Sequence, residues 1–306
     1  ASGWAPRTRA GKARPLGTDA MQRILSSYVF SNRKLTPALL AEVEGAGIGA
    51  VELFCLRTHF DYHEAQELRE LAGWLAGHSL KVHALHSPTE RDSGSNRQSG
   101  IPLSISDLER SRRLEAVDEV KRALDVAEYF PFSYLVQHVC SSREEADPRK
   151  WDAAFNALEH LALFARQRGV TIALENTPGE MATPHNLRQF LTETRLGNIK
   201  FCFDTGHAHL GEGVGPGWEI MRELVVTTHL HDNRGEKDEH LLPFEGTIDW
   251  KAALRALGRE LPLVLELKVE AVPEHPLEKI IGAFEKLEKA TADTGHPARA
   301  SSSVER

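Results

Sequence analysis

Eight short apolar, β-branched runs alternating with helical patterns predict an α/β fold for this 306-residue chain, a (β/α)8 TIM barrel. Two more observations favour the closed form. The runs are continuously apolar, as in Val170-Thr-Ile-Ala-Leu174, which suits parallel strands covered on both faces. No Gly-rich dinucleotide fingerprint follows the first run, which weighs against a doubly wound open sheet.

The expected strands cover 24–30, 50–55, 80–86, 132–139, 170–176, 199–205, 225–232 and 262–268. The first helix opens at Thr36, an N-cap, with Pro37 in the first turn. Ser106 and Glu109 form a capping box expected to open a helix running to about Tyr129. Residues 151–168 carry apolar side chains at helical spacing and stop at Gly169, a C′ glycine. Residues 249–261 and 276–289 supply the last two helices, the former capped by Asp249. Residues 1–20 hold Arg7, Arg9, Lys12 and Arg14 without an apolar stretch, so they are no intact signal peptide. They are expected to be a tail, as are residues 291–306. The single catalytic domain is then 21–290, near the ~250 residues typical of such a barrel.

Composition removes several functions. Lys and Arg total 37 against 44 Asp and Glu, a net charge of −7, which argues against nucleic acid as a partner. No apolar run is long enough to span a bilayer. Cys55, Cys140 and Cys202 are odd in number and widely spaced, so neither a disulfide framework nor a zinc knuckle is expected. A reducing, cytoplasmic location is expected, with N-terminal processing left open by Ala1. The 15 histidines are the unusual count, and their placement matters.

Barrel chemistry sits at the C-terminal ends of the strands. Six consecutive expected strands end in His86, His138, Glu175, Asp204 followed by His207, His229-Leu-His231-Asp232, and Glu266-Leu-Lys268. A lone strand-end histidine is usually structural; six polar ends on one rim are not explained that way. Few Lys or Arg lie nearby to neutralise the carboxylates, and burying them unpaired is costly. A divalent cation satisfies them together. After strand 7, Asp238 and His240 are two apart, a spacing that puts both on one face of an extended segment. With His207 they are expected to form a second cation site.

The strings Leu-Glu175-Asn-Thr, Phe-Asp204-Thr-Gly-His207, His229-Leu-His-Asp-Asn with Asp-Glu-His240, and Leu-Glu266 resemble the xylose isomerase-like TIM-barrel superfamily over about residues 20–290. That group includes sugar (phosphate) isomerases and epimerases, inosose dehydratases and endonuclease IV. The resemblance to its ketose 3-epimerases implies one divalent metal (Mn2+, Zn2+, Mg2+ or Co2+) on Glu175, Asp204, His229 and Glu266. It implies Glu175 and Glu266 as the acid–base pair for proton abstraction next to a carbonyl through a metal-bound enediolate. His207 and Arg234, five residues after His229, are the implied binders of sugar or polyol oxygens; Lys268 is a further candidate. The resemblance to endonuclease IV implies instead a multinuclear zinc site with His86, His138, His207, Asp238 and His240 as added ligands, and phosphodiester hydrolysis. Three strings depart from that nuclease: His138-Val-Cys for His-Pro-Gly, Asp204-Thr-Gly-His for Asp-Thr-Cys-His, and His229-Leu-His-Asp-Asn for His-Leu-Asn-Asp-Ser. A lyase or dehydratase acting on a keto-sugar or inosose is a further alternative using the same pair. Homodimers are an expected assembly.

Four secondary expectations follow from position in the chain. His83 lies three positions before His86, on the other face of its strand, as a core histidine. His229 rather than His231 is the metal ligand, by register. The long segment 87–105 is a lid whose Arg91 and Arg97 grip a phosphate or carboxylate, and Gly246 serves a tight turn.

Overall fold

The computed structural model describes residues 22–92, 98–141, 144–258, 261–273 and 275–292. Its strands, in chain order, are β1 (Arg23–Ser26), β2 (Ala50–Phe54), β3 (Lys81–His86), β4 (Glu90–Asp92), β5 (Gln98–Pro102), β6 (Tyr134–Gln137), β7 (Thr171–Glu175), β8 (Lys200–Asp204), β9 (Val225–His229) and β10 (Leu263–Leu265). All but β4 and β5 form one parallel sheet in the order β10-β1-β2-β3-β6-β7-β8-β9. The Leu230–Leu265 bridge, with Leu230 N–H donating to Val264 O at 2.8 Å, closes it into the expected TIM barrel. β4 and β5 pair antiparallel outside the barrel.

Alternation along each strand decides what faces inward. Leu25, Val51, Leu135, Leu174, Phe203 and Leu265 point outward into the main core beneath the helices. Small residues such as Ala173, Cys202 and Val136 fill the interior. One step of two further along, Glu52, Glu175 and Asp204 stand buried above that floor. β3 breaks the alternation: Val51 pairs with Val82 but Glu52 with Ala84, so His83 is an extra residue in a bulge. This corrects the expected orientation of His83. Its ring bonds Thr227 Oγ1 at 3.0 Å.

Helices α1 (Pro37–Gly45), α2 (Ala65–Ala76), α3 (Arg110–Asp125), α4 (Pro148–Gln167), α5 (Pro184–Thr194), α6 (Thr205–Leu210), α7 (Val214–Met221), α8 (Trp250–Leu257) and α9 (Pro276–Ala292) complete the fold. Thr36 and Asp249 cap as expected, accepting from Leu39 N and Ala252 N. Three local expectations are corrected. Ser106 is no cap: it is buried against Ser104, Asp107 accepts from Glu109 N–H at 2.8 Å, and α3 starts at Arg110. The first strand ends at Ser26, and residues 27–30 wind into a 3-10 turn. Ser27 Oγ is the reason, because it takes the Phe54 N–H at 2.9 Å and meets the His59 ring at 3.0 Å. Gly246 has no left-handed backbone; a Cβ there would fall 2.3 Å from Asn233 O and from Asp232 Oδ1, so close approach requires the glycine.

Candidate metal centre

Four donors from neighbouring strands converge at the C-terminal mouth. Glu175, Asp204 and His229 end β7, β8 and β9, and Glu266 follows β10; their ligand atoms lie within 4.8 Å of one another. All are buried. His229 Nδ1 is 3.1 Å from Glu175 Oε1, 3.4 Å from Glu266 Oε2 and 3.9 Å from Asp204 Oδ2. The ion-pair partners of these three carboxylates among the described residues are imidazoles, never Lys or Arg. Such a set fits a divalent cation, which neutralises buried carboxylates that otherwise carry a heavy desolvation cost.

The other predicted donors arrive in two groups flanking this one. His86 and His138 meet Glu175 Oε2 at 3.3 and 2.9 Å, forming a group that shares Glu175. On the other side stand His207, Asp238 and His240, joined by His231. Asp238 Oδ2 meets His240 Nε2 at 3.0 Å, and Asp238 Oδ1 lies 3.5 Å from His207 Nε2. Three of the histidines are anchored by backbone carbonyls through Nδ1: His86 on Ser87 O at 2.9 Å, His207 on Asn176 O at 2.9 Å and His240 on Glu266 O at 3.1 Å. That leaves each Nε2 facing a carboxylate, the arrangement metal-binding histidines use.

Burial pushes the Glu175 carboxyl up, but His229, His138 and His207 overcome it and hold it well below the usual carboxylate range. For Asp238 too, burial is outweighed by the His207 and His240 hydrogen bonds, and its carboxyl lies far below its ordinary value. His207 and His229 move the opposite way, raised well above an ordinary imidazole: burial is outweighed at His207 by Asp204, Asp238 and Glu175, and at His229 by Cys202 together with Glu266, Glu52 and Glu175. Burial lowers His83 to about 4, which leaves it neutral inside the barrel.

His229 takes the predicted place in the four-donor group, whereas His231 bonds Asp204 Oδ2 at 3.0 Å. Asp204 does double duty: its Oδ1 accepts the His207 N–H at 2.7 Å and caps α6. Lys268 lines the cavity with its Nζ donating to Asp238 O at 2.6 Å. Arg234 is not brought to the mouth. It pairs with Glu239, and its side chain is 59% exposed. Arg91 is likewise committed elsewhere, to Glu115 of α3, and Arg97 lies outside the described residues. Asp232 faces the loop rather than the cavity, accepting from Phe244 N, Ile248 N and Trp250 Nε1.

The cavity above the donors has a volume of about 550 Å³, lined on one side by Tyr28 and Phe54, whose rings stack at 4.4 Å. Sequence reading missed both, and it missed Glu52, whose Oε2 is 3.0 Å from His229 Nε2. A signal for Glu52 existed: it is the one charged residue in the apolar run 50–55.

A family model described as xylose isomerase-like TIM barrel matches residues 40–289, and the chain belongs to that family. An uncharacterized protein, y4fM of Sinorhizobium fredii, is 25% identical over 198 residues, covering 58% of this chain and 63% of that protein, so less than two thirds of the relative's length is spanned. Among solved structures, a D-tagatose 3-epimerase-like protein superimposes with a TM-score of 0.72 at 20% identity, covering 89% of this chain and 99% of that one. The IOLI protein with a bound zinc atom also gives 0.72, at 18% identity and with 90% and 99% covered. At these identities the structures establish the shared fold.

Proposed function

We propose that this chain is a divalent-metal-dependent isomerase or epimerase of sugars or sugar phosphates. The carrying observation is the buried Glu175–Asp204–His229–Glu266 group at the floor of a cavity of about 550 Å³. The epimerase-like structural neighbour supports the reading. A divalent ion held there supplies Lewis-acid polarisation of neighbouring oxygens. The oxygen-rich donors suit Mn2+, Mg2+ or Co2+, and the His-rich group beside them suits Zn2+.

The protein's own groups then move the proton. One of Glu175 and Glu266 takes it from the carbon next to the substrate carbonyl, and the other returns one to the opposite face. Tyr28 and Phe54 offer an apolar wall that limits water, and His207 and Lys268 offer polar contacts for substrate oxygens. The test is incubation of the metal-loaded protein with ketohexoses, their phosphates and keto-glycosides in deuterium oxide. Deuterium at a carbon next to the carbonyl is the expected result, and Glu266→Gln should lose it while still binding metal. Full exchange in that variant would sink the acid–base assignment.

One observation favours a second reading, phosphodiester hydrolysis: the two flanking donor groups, one sharing Glu175, would make the centre multinuclear. Counting tightly bound ions and assaying nicking of an abasic oligonucleotide separate the two. One ion without nicking supports the isomerase; three ions with nicking support the hydrolase.

A further inference from the structure

Each ligand-facing imidazole at this mouth needs something to fix its ring. His86, His207 and His240 use backbone carbonyls. His229 differs. Its Nε2 faces the Oε2 of Glu52 at 3.0 Å, across the barrel interior from β2, and both side chains are fully buried. Its other nitrogen, Nδ1, faces Glu175, Glu266 and Asp204. Glu52 itself lies outside the donor groups, which also include His86–His229–Glu266, and among the described residues its Oε1 has no hydrogen-bond partner.

We propose that Glu52 is the positioning residue of the metal centre: it accepts the Nε2–H of His229 and so turns Nδ1, the nitrogen that would bind a cation, towards the Glu175–Asp204–Glu266 donor set. The proposal rests on the metal-dependent reading above. Its physical basis is the neutral imidazole, which carries one N–H and one lone pair. A carboxylate on one nitrogen selects which of them donates and makes the opposite lone pair more basic towards a cation. Glu52 points into the barrel interior and is fully buried, and among the described residues it forms no ion pair with a Lys or Arg. Its burial is offset chiefly by His229, with a further contribution from the nearby His86.

The experiment titrates the metal-free full chain with Co2+, following visible absorption and equilibrium dialysis. Wild type, Glu52→Gln, Glu52→Ala, His229→Gln and the Glu52→Ala/His229→Gln double variant are compared, with folding checked by circular dichroism of each metal-free protein. Glu52→Ala should weaken the first Co2+ site by about 100-fold, and Glu52→Gln, which keeps an acceptor, by about 10-fold. The Co2+ spectrum at saturation should change in Glu52→Ala and return towards wild type in Glu52→Gln. In the His229→Gln background, Glu52→Ala should have little further effect, because the two residues act as a unit. If Glu52→Ala costs as much in that background as alone, the carboxylate acts as a plain charge and the proposal falls. It falls also if folded Glu52→Ala binds Co2+ like wild type. If wild type binds no divalent cation at all, it is the metal-dependent reading that fails, and with it the role given to Glu52.

Discussion

Two of the donor groups at the barrel mouth, the oxygen-rich one and the His-rich one beside it, are held by different parts of the chain. Glu175, Asp204 and His229 are the last residues of parallel strands, and Glu266 sits one residue beyond another. Each backbone is tied to a neighbouring strand: Glu175 pairs with Cys202, Asp204 with His229, and the Glu266 N–H donates to Leu230 O. In the His-rich group, His207 rides on the short helix α6, and Asp238 and His240 come from the loop after β9. His240 takes a left-handed backbone at φ +50, and the Asp238 side chain is 31% exposed. That loop has its own organiser in Asp232, which collects four donors from residues 233, 244, 248 and 250. The oxygen-rich group is therefore built on the sheet, and the His-rich group draws on a loop that is tied back to it by His240 Nδ1 on Glu266 O.

The largest effect on the strand side is expected at Glu175, which the four-donor group shares with His86 and His138. Glu175→Gln should lower proton exchange by about 10²–10⁴-fold, read as deuterium incorporation under saturating metal. Asp238→Asn, by contrast, should leave exchange close to wild type if the loop group is not part of the proton-moving machinery. Equal losses in the two variants would show that the groups work as one centre.

The same division explains what was legible in the sequence. Strand-end ligands could be found because alternation places every second residue inward and because Glu175, Asp204 and Glu266 interrupt apolar runs. The eight barrel strands followed from the same pattern. Loop spacing does not orient Arg234: the next four residues, 235–238, line the cavity, while the Arg234 guanidinium is taken by Glu239. Glu52 escaped notice because it sits inside a run, not at its end, and its role depends on a partner 177 residues away in sequence. Tyr28 was hidden by the 3-10 turn that ends β1 early, a turn set by the Ser27–His59 contact that no local pattern reveals.

That contact supplies a pH test of the strand side. His59 lies in a chain of hydrogen bonds: Phe54 N–H donates to Ser27 Oγ, Ser27 O–H to His59 Nε2, and His59 Nδ1–H to Arg33 O. Burial, together with the nearby Lys34 and Arg33, lowers its pKa to about 4. An unfolded histidine titrates near 6.5. Because the folded value is depressed, the contribution is complete above about pH 6.5 and is lost as pH falls towards 4, a loss of about 3 kcal/mol. Urea unfolding at pH 7 and 4.5 should show a smaller decline in His59→Gln than in wild type. An equal decline would place the acid sensitivity elsewhere.

Gly246→Ala probes the loop side. Its Cβ would meet the Asn233 backbone oxygen at 2.3 Å, and backbone cannot swing aside. A cost of about 1–3 kcal/mol is expected, with a lower melting temperature. Zn2+ binding at the His-rich group should weaken while the strand group keeps its Co2+ affinity. If both weaken together, the loop is coupled to the sheet.

The smallest effect is expected at Arg234, and it sharpens the boundary of the site. Its pair with Glu239 is largely exposed, so removing it should change stability by about 0–1 kcal/mol. Since the guanidinium points away from the cavity, Arg234→Ala should leave KM and turnover unchanged. Lys268→Ala is the informative partner, because that ammonium lines the cavity and braces Asp238 through its carbonyl oxygen. A raised KM for Lys268→Ala alone places substrate recognition inside the barrel mouth. A raised KM for Arg234→Ala would instead require the loop to fold inward when substrate binds, making the His-rich side the mobile half of the centre.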